Sequence, residues 1–157
     1  MISYNLTQTM DTIYHILFWG ALLTIGSFII LIGSWIIDPK VWGADIGVGK
    51  QYQNRVGGIL TVLILFAVQL PVMTYAIIDY EQIKPELTFW TALLISYLIF
   101  QIFNLADLVI FDWLIYMKMK PAFMYPDYFP PADDLSRHAK DSMTGHVLGI
   151  FHALVRA

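Results

Sequence analysis

Three stretches of the chain are apolar for long enough to cross a bilayer as helices. Residues 13–37, 57–78 and 87–117 each reach the ~20 residues that a helix rising about 1.5 Å per residue needs to span roughly 30 Å of hydrocarbon. The first is closed by Asp38-Pro39, because proline disfavours helix both in itself and in the residue before it. The second opens after Arg55 on Gly57-Gly58, leaving a polar loop over 38–56. Inside the second span Pro71 follows Gln69 by two residues. It removes one backbone hydrogen bond and predicts a kink that neighbouring helices must accommodate.

Beyond Lys118 and Lys120 the stretch PAFMYPDYFPP is too rich in proline for regular structure and suits the headgroup region. Pro130-Pro131 followed by Asp133 and Asp134 is a helix-start signal, with proline in the first turn and acids at the positive end of the helix dipole. A fourth helix is therefore expected over 132–156. Its apolar part, residues 143–155, is 13 residues long and short of a full span. It can cross with tilt or bilayer thinning, stop partway, or be completed by a partner; we take crossing as the reading. The expected fold is all-α, an integral membrane helical bundle of about four transmembrane helices in a single membrane domain.

Composition agrees with that pattern. Of 157 residues, 58% are hydrophobic and 13% charged, with a mean hydropathy of +0.64, outside the range of ordinary soluble domains. The apolar run after the N-terminus is too long for a secretory signal and lacks its basic flank, so the first helix is expected to be retained. Lysine and arginine are concentrated in two places. Lys40, Lys50 and Arg55 occupy the first loop and Lys118, Lys120, Arg137 and Lys140 the third, against Lys84 alone in the second. The positive-inside rule then puts loops 38–56 and 118–131 in the cytoplasm of a cell with an inner membrane and the N-terminus outside. The formal charge of -3 without a dense basic run points to neither nucleic acid nor a polybasic lipid contact as a partner. The absence of cysteine excludes thiolate metal sites, iron–sulfur clusters and disulfide chemistry.

Candidate chemistry rests on the few polar residues inside the spans. Carboxylates in a membrane helix are costly and mark a pathway, a partner or a buried pair, which singles out Asp107 and Asp112. Asn104 shares a face with Asp107 at i, i+3, whereas α-helical periodicity turns Asp112 about 100 to 140° away. Helix four should run antiparallel to helix three, so His152 falls near the depth of Asp107 and His146 near that of Asp112. Such carboxylate–imidazole pairs serve proton relay, orientation of a metal ligand, or simple satisfaction of buried polar groups. His15, near the outer end of helix one, and His152 are together the candidates for holding a haem or pigment between two helices. Neither a cofactor nor a metal is assigned from the residues alone. Gly145, Gly149 and Ala153 form a small-residue ridge for close helix packing. Gly20, Ser27 and Ser34 repeat every seven residues on helix one and make it a candidate neighbour of helix four. GADIGVGKQ in the first loop is not a phosphate-binding loop, because Ala44 stands where its first glycine belongs and Gln51 where serine or threonine must follow the lysine.

The stretch from Asn104 through Asp107 to Asp112-Trp113-Leu114, followed by Pro121 and a proline-rich loop into a glycine-bearing last helix, resembles a family of small uncharacterised bacterial inner-membrane proteins. The likeness covers the C-terminal third and implies membrane location and span count, with no activity. No catalytic residue stands out. The expected function is that of an accessory or structural subunit of a membrane complex, partnered by the bilayer and by other membrane subunits or a second copy. One alternative is a proton-coupled transporter or ion-conducting module using Asp107. Another is a cofactor-binding subunit of a redox or photosynthetic complex.

Overall fold

A computed structural model describes residues 2–42 and 54–124. Over these residues the chain is helical and contains three helices long and apolar enough to cross a membrane. Helix α1 (Ile2–Ile37) starts well before the apolar pattern does. No proline or glycine stands between Ile2 and Trp19, so nothing in the polar N-terminal turns interrupts the backbone ladder. Its membrane-length apolar part is Thr7–Ile37. As expected from Asp38-Pro39, the helix stops there and gives way to a short 3-10 turn, Pro39–Trp42.

Helix α2 (Arg55–Ile83) is capped by Asn54, whose side chain accepts from the Gly57 N–H at 2.9 Å. It runs through Pro71 as one element, with the proline on an exposed side. It also continues past Ile78 through Asp79 and Tyr80, which matters for the site. Helix α3 (Phe89–Ala106) begins at Thr88, which accepts from the Thr91 N–H at 3.3 Å. From Asp107 to Met119 it continues as a π-helix, ending at Lys120 in the left-handed conformation. There the Lys120 N–H donates to the Ile115 carbonyl, five residues back, at 3.0 Å.

Side-chain contacts set the directions. Gly20 lies against Ile102, the Phe28 and Phe111 rings are 5.8 Å apart, and those of Trp35 and Tyr116 are 5.7 Å apart, so α1 and α3 run parallel. Thr12 meets Tyr80 and Ser27 meets Gln69, so α1 and α2 run antiparallel. Helix α1 packs against both others, while α2 and α3 touch each other less. One buried cluster gathers Leu23, Met73, Ala76, Ile95, Ile99 and Phe103. A second, toward the Lys118 end, gathers Leu31, Trp35, Phe111, Tyr116 and Met124. The remaining apolar surface is large: Ile29 is 68% exposed and Trp90 72%. In water such faces are a liability, but along membrane-length helices they match lipid.

The three expected spans are therefore present as three long apolar helices, α1 and α2 running past the ends of their apolar cores. The expected fourth helix over 132–156, with His146, His152, Gly145, Gly149 and Ala153, lies outside the described residues.

The ends of α1 and α2 are tied together next to the first loop. Asn54 donates its side-chain amide to Asp38 Oδ2 at 2.8 Å, its backbone N–H to the Lys40 carbonyl at 2.8 Å, and caps α2 with its oxygen. Asn54→Ala should cost about 1–2 kcal/mol, the worth of a good cap plus one hydrogen bond to a charged group. Asn54→Asp keeps the cap but sets a second carboxylate beside Asp38, so it should fail to restore stability. Melting of the two variants in detergent, with Asn54→Asp above Asn54→Ala by a full cap's worth, would show that the Asp38 contact is unimportant.

Candidate functional site: a polar cluster between α1 and α2

Helix α1 carries Thr12, His15 and Trp19, spaced so that they follow one side of the helix at i, i+3 and i+7. Helix α2 brings Asp79 and Tyr80 to the same level. His15 Nδ1 lies 3.3 Å from Asp79 Oδ2, and the Trp19 indole N–H donates to the same oxygen at 3.0 Å. One turn toward the N-terminus of α1, the Thr12 and Tyr80 hydroxyls are 3.2 Å apart. The His15 ring sits 5.1 Å from that of Tyr80 and 6.3 Å from that of Trp19. Its side chain is only 2% exposed, whereas the Asp79 side chain is 48% exposed. An acid at the rim thus orients an imidazole inside the bundle. His15 Nε2 is buried without a hydrogen-bond partner among the described residues.

A second polar layer lies deeper. Gln69 donates its side-chain amide to the Ser27 hydroxyl at 3.2 Å, both residues being buried, and Thr24 donates back to the Gly20 carbonyl at 2.8 Å. The contacts Gly20–Ile102 and Phe28–Phe111 bracket Asn104 and Asp107, and so place both at this level. Asn104 is buried; Asp107 and Asp112 are half-buried. The π-helix changes the relation between the two acids. Hydrogen bonding from i to i+5 widens the turn to more than four residues, so Asp112 stands closer to the side of Asp107 than it would in an α-helix.

Among the described residues, the small residues of α1 meet α2, α3 and the 3-10 turn. Gly20 faces Ile102 of α3, Ser27 faces Gln69 of α2, and Ser34 accepts from the Trp42 indole N–H at 2.8 Å. His15, expected as a cofactor ligand, lies against α2 beside Tyr80. Its expected partner His152, like His146 opposite Asp112, lies outside the described residues. Among the described residues no three His, Asp or Glu side chains gather where a metal ion could sit.

Asp79 was not legible as a site residue because the apolar pattern ends at Ile78 and makes the following acid a loop residue. The signal was present nonetheless. His15 stands near the outer end of one span and Asp79 at the outer end of the next, antiparallel one, the same depth matching that pairs Asp107 with His152. No protein-family model, curated protein sequence or solved structure matches the chain.

Proposed function

We propose that the chain is a small multi-pass membrane protein serving as an accessory or structural subunit of a membrane complex. We place it in a bacterial inner membrane, with its N-terminus outside and its Lys-rich end in the cytoplasm. The observation that carries the reading is the use of intramembrane polar groups as fasteners. His15–Asp79, Trp19–Asp79, Thr12–Tyr80 and Ser27–Gln69 each join α1 to α2. Polar side chains bonded across helices fix register and rigidity, the properties of a scaffold. Purification of the full chain from native membranes in a mild detergent should yield other membrane polypeptides at a constant molar ratio through successive columns. Recovery as a homogeneous species without them would overturn the reading.

A second reading is favoured by the π-helix, which draws Asp112 toward the side of Asp107, at and below the level of the buried Gln69–Ser27 pair. Long π-helical stretches are rare and concentrate at functional positions, and acids at membrane depth are costly unless used. On this reading the protein moves protons or a proton-coupled solute. Liposomes holding the wild type should then dissipate an imposed pH gradient and Asp107→Asn liposomes should not; equal leakage would exclude this reading.

A further inference from the structure

At the Arg55 end of the bundle two apolar grooves among the described residues share Val41 as a wall. One, of about 460 Å3, is floored by Ile59, Val62 and Leu63 of α2 and has Trp42 and Arg55 at its mouth. The other, of about 410 Å3, runs between α1 and α2 past Ile29, Gly33, Ile37 and Ile64, with Asp38 and Asn54 at its mouth. Val41 lines both. Each is within the size range of ligand pockets, roughly 300–1,000 Å3.

The mouths are built differently from the floors. The Trp42 indole is fixed by its bond to the Ser34 hydroxyl and stacks on Trp35, with ring planes 13° apart and centroids 6.3 Å apart. Arg55 is exposed and makes no hydrogen bond or ion pair among the described residues. The acid at the second mouth makes no ion pair with it among the described residues: Asp38 Oδ1 accepts from the Lys40 N–H at 3.0 Å and Oδ2 from the Asn54 amide at 2.8 Å, and its single negative charge is outnumbered by the basic residues at this end. Lys40, Lys118 and Lys120 stand at this same end of the bundle. An arginine at interfacial depth, a rigid indole beside it and two parallel apolar channels below it match a two-chained amphiphile with an anionic headgroup.

We infer that the Val41 ridge is a binding site for one anionic phospholipid. Its phosphate lies at Arg55 and its two acyl chains lie in the grooves flanking Val41. The site is independent of which subunits the protein assembles with. It commits the protein to the leaflet in which its Arg55 end is immersed.

The test is native mass spectrometry on the full-length protein in mixed micelles carrying either phosphatidylglycerol or phosphatidylcholine of identical chains, with melting followed in parallel. The wild type should retain one phosphatidylglycerol in preference to phosphatidylcholine and melt higher with it. Arg55→Gln should lose about fivefold of that preference, the effect of about 1 kcal/mol for one basic side chain at an anionic surface. Val62→Trp, which fills the first groove from a lipid-exposed position (44% exposed), should lower retention of both lipids while the helical circular dichroism is unchanged. Glycerol phosphate at millimolar concentration should not compete. Equal retention of the two lipids by the wild type, unchanged preference in Arg55→Gln, or competition by glycerol phosphate would each overturn the site. A polypeptide that occupies the ridge and resists added phosphatidylglycerol would do the same.

Discussion

Replacing Gly20 by leucine should destabilise the bundle by about 3 kcal/mol, the upper part of the usual range for overpacking a well-packed interior. A Cβ at position 20 would stand 2.7 Å from Ile102 Cδ1, 2.8 Å from its Cβ and 2.9 Å from its Cγ2. The Cβ contact decides the magnitude, because that atom is fixed to the α3 backbone and cannot swing aside as a side-chain tip can. Either α1 and α3 separate or one rotates. Both loosen the buried layer of Leu23, Ile99 and Phe103 next to it. In a membrane this close approach is worth more than it would be in water, since packing supplies what the hydrophobic effect does not. Gly20→Ala should show a smaller loss, and combining it with Ile102→Ala should recover part of it, because two of the three obstructing atoms are then gone. Unfolding by SDS in mixed micelles, read as the midpoint of helix loss, measures all three. An unchanged midpoint for Gly20→Leu would mean that α1 and α3 do not meet at this position.

Asp79→Ala should have the next largest effect, about 1–3 kcal/mol. Two donors, the His15 Nδ1–H and the Trp19 indole, lose the Asp79 carboxylate at once, and only His15 has a second acceptor within reach, the Ala76 carbonyl. Stranded polar groups inside proteins cost about 1–3 kcal/mol each. Interhelical hydrogen bonds in membranes average nearer 0.6 kcal/mol with a maximum of about 1.7, because the separated helices find other partners. The second figure governs here, since both bonds join helices of membrane length. Asp79→Asn retains a carbonyl oxygen that can still accept from one donor and should lose about half as much. Trp19→Phe removes one of the two bonds and should match it. If Asp79→Ala and Asp79→Asn proved equally mild in the same SDS titration, Asp79 would not be holding α1 to α2.

The two variants also separate structure from function. Gly20 touches α3 and Asp79 anchors α1 to α2, so they probe two faces of the central helix. A wild-type protein whose co-purifying polypeptides vanish in Asp79→Ala but persist in Gly20→Ala would locate the partner-facing rigidity on the α1–α2 side.

Much of this protein is a direct consequence of local chemistry along the chain. Apolar runs of membrane length and Asp38-Pro39 as a stop follow from transfer energies and backbone sterics, which each segment carries by itself. Meeting points do not. The helices are apolar nearly all round, so the pattern does not mark which side of α1 faces which neighbour. Only packing assigned Gly20 to Ile102, Ser27 to Gln69 and His15 to Asp79. Hydropathy also ends a span where charge begins, although a helix needs no such boundary, and α2 therefore carried Asp79 up to His15 beyond the limit its apolar residues suggest. The relation of Asp107 to Asp112 turned on a difference of about one residue per turn between α- and π-helix. No residue between them signals that difference, because it arises from how the backbone settles against its neighbours.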